Sequence, residues 1–305
     1  MGMELREKYI NPYTDFGFKK IFGSAMNKDL LISFLNALFQ GERQIRDVTY
    51  KNSELLGEGE TNRKAVFDVY CELEDGSHII VEMQKAEQTY FKDRSVYYAA
   101  APIREQAPRG HWNYELKDVY MVALLNFVFP DKEYPEDNFR HEIKLKDVED
   151  NHVFYDKLTF IYLEMPKFTK KEDELVTMFD KWMFALSNLS RLLDRPKSLQ
   201  ERIFTRLFEQ AEIAKFTHQE RWEYEESKKE YWDYNSTIET AERKGEAKGR
   251  AEGLAEGRAE GRAEGRMEGE HNMATETARK MKADGMSADI IAKYTGLTIE
   301  EIDAL

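Results

Sequence analysis

Asp68 sits inside an apolar stretch, Val66-Phe67-Asp68-Val69-Tyr70, where an ionised carboxylate is costly unless something pairs with it. Fourteen residues later comes Val81-Glu82-Met83-Gln84. Residues 65–73 and 78–84 are rich in β-formers, and the Glu74-Asp75-Gly76 between them is a strong hairpin signal. In an antiparallel hairpin centred on that turn, Asp68 and Glu82 fall opposite or nearly opposite each other. Glu82 and Gln84, two apart, share a face. Carboxylates that face each other on adjacent strands repel. A hard cation with oxygen ligands removes the conflict, and Mg²⁺ fits, with Mn²⁺ or Ca²⁺ as alternatives.

The elements around this pair follow from periodicity. After the turn at Asn11-Pro12, Thr14 or Asp15 caps a helix that carries Phe16, Phe18, Ile21 and Phe22. Past Gly23-Ser24, Leu30, Leu31, Phe34, Leu35, Leu38 and Phe39 recur at helical spacing up to Gly41. Strands are expected at 45–50, 65–73, 78–84 and 158–163. A helix is expected at 90–107, and the nearly unbroken apolar run at 118–129 reads as a central buried strand. Residues 173–233 read as helices. The pattern is an α/β fold, a mixed sheet flanked by helices with a helical C-terminal extension. Four segments are expected: a core over 1–170, a helical cover over 171–240, a repeat helix or linker over 241–272, and a small helical tail over 273–305.

The 305 residues carry a net charge of −13, which argues against indiscriminate coating of nucleic acid. The charge is uneven: residues 1–110 hold −2 and the remainder −11. One cysteine, Cys71, excludes a disulfide framework or a cysteine zinc site within one chain. Neither an apolar run long enough for a membrane span nor a signal-peptide h-region is evident, so a cytoplasmic protein is expected. His78, His111, His141 and His152 show no ligand spacing.

Several separated motifs carry a resemblance: N-P-Y-T-D-F-G-F-K-K-I-F-G (11–23), F-D-V-Y (67–70), V-E-M-Q-K (81–85), R-S-V-Y-Y (94–98) and L-K-D-V-Y (116–120). Together they resemble the recombination-promoting nuclease and transposase family of the PD-(D/E)xK nuclease superfamily. That resemblance implies a restriction-endonuclease-like fold and a metal-dependent DNA endonuclease acting on phosphodiester bonds, linked to recombination or mobile DNA. It implies Asp68 and Glu82 as metal ligands, the Met83 backbone carbonyl as a further ligand, and Gln84 in the place of the motif's lysine. Asp15 occupies a family-typical helix position. Arg94 and Tyr98, four apart on one helix face, are expected to approach the phosphate. A neutral amide does not stabilise developing negative charge as an ammonium does. Lys85 is expected on the opposite strand face, so Lys19 or Lys64 is the candidate replacement. The alternative reading is a nuclease-derived module that binds DNA and assembles with weak or no cleavage.

Glycine recurs every four residues from Gly245 to Gly269. Each costs a helix about 1 kcal/mol relative to alanine, and Glu and Arg each meet their own kind at i,i+4. The repeat is therefore either a flexible linker or a helix whose glycine row lets copies of the chain associate. In the 245–305 tail, Ser287 and the capping box Thr298-x-x-Glu301 start two short helices that resemble a helix-turn-helix. The second is acidic, which suits a protein partner better than DNA.

Overall fold

The computed structural model describes residues 7–55, 65–108, 110–130, 135 and 137–305. Lys64, one candidate replacement for the motif's lysine, lies outside them. The chain divides into two compact units, Met1–Asn235 and Ser236–Leu305.

A six-stranded mixed sheet organises the first unit. Its strands are β1 (Val48–Tyr50), β4 (Val69–Leu73), β5 (His78–Gln84), β6 (Val119–Leu125), β7 (Arg140–Lys146) and β8 (Val153–Glu164), in the order β1-β4-β5-β6-β8-β7. The β5–β6 and β6–β8 pairs are parallel, and the other three pairs are antiparallel. A separate two-stranded ladder joins β2 (Glu54–Leu55) to β3 (Ala65–Val66). Strand alternation divides the core into two layers. Ile79, Val81, Val122, Leu124, Ile161 and Leu163 face a layer that includes α1 (Asp15–Phe22), α2 (Lys28–Phe39), α4 (Met178–Asn188) and α5 (Arg202–Ala211). Ile80, Met121, Ala123, Phe160 and Tyr162 face α3 (Phe91–Glu105). This is the expected α/β class.

The β4–β5 hairpin closes as the turn residues require. Gly76 takes φ +81°, and Val69 pairs with Val81, Tyr70 with Ile80 and Cys71 with Ile79. Arg43 pins the turn by bonding Asp75 Oδ2 and Ser77 Oγ, each at 2.9 Å, and Asp118 Oδ2 at 2.5 Å.

The NPYTDFG motif builds the start of α1. Thr14 Oγ donates to the Asn11 carbonyl at 2.7 Å and accepts from Gly17 N at 3.0 Å. A Cβ on Gly17 would lie 2.1 Å from the Asn11 oxygen, so the turn admits no larger residue there. A distant element completes it: α6 (His218–Ala283) begins in this unit. Its Tyr224 hydroxyl accepts from Asn11 N and its Ser227 hydroxyl from Phe16 N, both at 3.0 Å. Tyr224 is fully buried. Tyr224→Phe leaves the Asn11 N–H without that acceptor and is expected to cost about 1–3 kcal/mol, read as a lower urea midpoint at unchanged slope.

Several expectations are corrected. Residues 65–73 do not form one strand: the chain bends at Phe67-Asp68, so β3 and β4 belong to different sheets. The first strand starts at Val48 rather than Ile45, and α2 stops at Phe39 because Gln40 itself takes the left-handed conformation, φ 48°. Strand β7 was not expected. It is an edge strand in which Arg140, Glu142, Lys144 and Lys146 alternate with His141, Ile143 and Leu145, a short and strongly charged period-2 pattern.

In the second unit the glycine repeat is helical, as part of α6. The terminal turns of α6 pack through Ala278 against α7 (Ala288–Thr295) and α8 (Ile299–Asp303) in a small core with Ile291, Leu297 and Ile302. The Thr298–Glu301 capping box forms as expected. A helix held at both ends needs no nucleus in its glycine-rich middle, which offsets its poor propensity.

Candidate active site

Asp68 and Glu82 meet at the bend before β4. Asp68 N donates to Glu82 Oε1 at 3.1 Å, and Asp68 Oδ2 accepts from Met83 N at 2.8 Å. The bend gives Asp68 this role, because a residue continuing the ladder would direct its N–H at backbone rather than at a carboxylate. Glu82 is buried, and β5 is buried along its whole length. Burial and the neighbouring Asp68 charge push the Glu82 carboxyl up to about 8. Burial also raises Asp68, against the Met83 hydrogen bond, with the Asp15 charge adding to the rise. The two carboxylates therefore oppose each other's ionisation in a dry environment.

Gln84 lies next to Glu82 on the same strand face. Its Nε2 donates to Glu82 Oε2 at 3.2 Å, and its Oε1 accepts from Arg94 Nη2. Arg94 also bonds Gln88 Oε1 at 2.5 Å and lies 5.6 Å from the centre of the Tyr98 ring. The amide thus joins the Arg94 guanidinium to Glu82, and the Arg94 charge favours Glu82 ionisation. The positive charge that a lysine would bring on the strand comes from α3 instead. Arg94→Lys keeps the charge but loses the planar fork that holds both amides. Under the endonuclease activity expected from the sequence, Arg94→Lys lowers DNA cleavage about tenfold and Arg94→Ala about a hundredfold, as measured by kcat/KM.

Asp15, Lys19 and Tyr98 are also brought near the two carboxylates. Asp15 and Lys19 form an i,i+4 ion pair at 2.9 Å on α1, and the Asp68 and Glu82 charges act on Lys19. The Tyr98 hydroxyl is raised mainly by burial, with the Glu82 charge adding to it. The expectation for Lys85 is corrected. Strand β5 ends at Gln84, so alternation no longer governs the next residue. Lys85 lines the same cavity as Asp68 and Glu82, and its charge acts on Asp68.

That cavity holds about 420 Å³. Asp68, Glu82, Gln84, Lys85, Arg94 and Tyr98 form much of its wall, and Glu230 and Tyr234 of α6 complete it. These last two were missed in the sequence: nothing in their local pattern separates them from any exposed helical face. Met83 supplies backbone only. The Gln84 carbonyl accepts from Asn126 N at 2.9 Å on the β6 side. Alternation therefore turns the Met83 carbonyl to the other edge, the side on which its N–H meets Asp68.

A second cluster, Asp147, Asp150 and His152, gathers its polar atoms within 4.8 Å at the β7–β8 turn, a grouping not read from the spacing of His152. It is exposed and made of turn hydrogen bonds: Asp147 accepts from Glu149 N, and Asp150 from His152 N and Nδ1. Those bonds account for it. Among the described residues, no helix is long and apolar enough to cross a membrane.

A family model described as PD-(D/E)XK nuclease family transposase matches residues 12–241. That span contains every residue of the site. No curated protein and no solved structure matches the chain.

Proposed function

From the premise that this chain belongs to the PD-(D/E)XK nuclease family of transposases, we propose that it is a divalent-metal-dependent DNA endonuclease. The observation that carries this reading is the pairing of half-buried Asp68 with buried Glu82, two carboxylates whose ionisation burial opposes and each of which accepts a hydrogen bond from the other's segment. The donor set is all oxygen: two carboxylates and the Met83 carbonyl. Hard cations such as Mg²⁺ or Mn²⁺ take such ligands, and Ca²⁺ takes them at longer distance. A bound divalent ion would supply Lewis-acid polarisation of the scissile phosphate and a more acidic attacking water.

The chain's own groups have separate tasks. Gln84 is held by Arg94 at one end and Glu82 at the other, so its amide is fixed for orienting a water. Arg94 and Lys85 bring positive charge to the phosphate side of the cavity, and Lys19 adds charge from α1. The Tyr98 hydroxyl is a neutral donor to a phosphate oxygen.

Supercoiled plasmid incubated with the full chain and Mg²⁺ tests this reading. Nicked and linear products that vanish in EDTA support it. If plasmid and a single-stranded DNA circle both stay intact in Mg²⁺, Mn²⁺ and Ca²⁺, the reading is defeated, which leaves the alternative, a DNA-binding and assembly module derived from a nuclease.

The 245–305 tail is proposed to join copies of the chain. The repeat glycines from Gly245 to Gly269 meet no atoms within 4 Å where a Cβ would stand, so a neighbouring helix has room to approach closely. Arg and Glu rows flank the glycines with complementary charge. Sedimentation of the full chain as a monomer at all concentrations would remove this role.

A further inference from the structure

Three tyrosines stand at the candidate site. Tyr98 and Tyr234 line the cavity, and Tyr97 lies beside Tyr98 with ring centres 6.4 Å apart. Tyr234 is 37% exposed and Tyr97 45% exposed, so each offers ring surface to solvent. Tyr234 comes from α6, which is fastened close by. Tyr231 is buried, and Asn126 Nδ2 donates to its hydroxyl at 3.4 Å and to the Lys85 carbonyl at 3.3 Å. One side chain thus ties α6 to the end of β5, and the wall made by Glu230 and Tyr234 is part of the fold.

The cavity size and its charge narrow what this wall admits. About 420 Å³ lies within the range of small-ligand pockets, so what enters the cavity is about one nucleotide. Duplex binding draws on many phosphate contacts, yet the cations on the cavity wall are Lys85 and Arg94, and Glu230 adds a negative charge. Exposed tyrosines instead offer stacking surfaces, which serve unpaired bases and tolerate any sequence.

We propose, on the basis of the nuclease reading of the same site, that the α6 wall selects DNA that is unpaired at the scissile position. Tyr234 stacks on a base adjacent to the scissile phosphate, and Glu230 disfavours the second strand. The substrate class is single-stranded DNA, or an unpaired flap or junction in a duplex.

The experiment uses the full chain and three probes: a mixed-sequence labelled single strand, the same strand in a blunt duplex, and a duplex bearing an unpaired flap. Binding is read by fluorescence anisotropy and cleavage by product length in Mg²⁺. The unpaired probes are expected to bind and to be cut about tenfold better than the blunt duplex, the factor that one base–tyrosine stack is worth. Tyr234→Ala is expected to lose that factor, Tyr234→Phe to keep it, and Glu230→Gln to raise duplex affinity and narrow the preference. Equal or better binding of the blunt duplex overturns the proposal, as does Tyr234→Ala with native affinity for the single strand. Absence of cleavage with every probe counts against the nuclease reading, and the anisotropy preference then decides the role of the wall.

Discussion

Glu82→Gln is expected to abolish plasmid cleavage, with a loss of at least about 10³-fold in kcat/KM. Stabilising charge at a reacting phosphate is worth several kcal/mol, and each 1.4 kcal/mol is about tenfold in rate. Glu82 is the more deeply committed of the two acids. It sits on a strand that is buried throughout and accepts from Asp68 N and Gln84 Nε2. Its amide analogue occupies the same volume, so the fold is retained and the loss reports on charge. The Gln84 amide, already oriented by Arg94, then faces a second amide where it had a carboxylate. Cleavage within about tenfold of native would remove Glu82 from the reaction.

The second large effect runs in the opposite direction, towards stability. In EDTA at pH 8, Asp68→Asn is expected to raise Tm by roughly 4–8 °C, because relieving about 2 kcal/mol of repulsion shifts a unit of this size by about 2–4 °C per kcal/mol. The oxygen of the substituted amide accepts from Met83 N as the Asp68 carboxylate does, and its nitrogen donates towards Glu82 where a second carboxylate had repelled it. The sign follows from the direction of the shifts. Glu82 is pushed up to about 8 and Asp68 is raised, both mainly by burial. A carboxyl raised in the folded state favours the fold when protonated. The metal-free native protein therefore holds this contribution in full below the ordinary carboxylate range, and loses it as pH rises to about 8. The gain of Asp68→Asn over native should accordingly grow from pH 5 to pH 8, as followed by thermal scans. Saturating Mg²⁺ reverses the order, since an ion at 100 times its Kd stabilises the native fold by about 2.7 kcal/mol and the variant lacks a ligand. A Tm difference that ignores both pH and Mg²⁺ would show that the two carboxylates are not in conflict.

How much of this was legible in the sequence differs from residue to residue. The pairing of Asp68 with Glu82 was legible because the turn is local. Glu74-Asp75-Gly76 sets the register, and Val69–Val81 pairing carries it to the bend. The bend was not legible, since Val66-Phe67-Asp68-Val69 reads as one strand, and the departure of β3 to another ladder depends on β2. Gln84 looked like a loss of charge within its strand. Its compensation by Arg94 lies on α3 and becomes visible in the folded chain alone. Lys85 was misplaced because alternation was extended one residue past the strand end. Glu230 and Tyr234 reach the site because Tyr224, Ser227 and Tyr231 fasten α6 to the first unit, and such long-range anchoring leaves no local pattern.

The family match covers 12–241, and so accounts for both the nuclease-like core and the part of α6 that walls the site. Whether the two carboxylates hold an ion is read most directly by titration calorimetry of Mn²⁺ into the full chain and into the Asp68→Asn, Glu82→Gln double variant. Native protein is expected to bind the ion with release of protons at pH 7, because a carboxyl held near 8 must ionise to become a ligand. The double variant, still folded by thermal scan, is expected to show no such event. Equal Mn²⁺ binding by both proteins would contradict the two-carboxylate metal site on which the account stands.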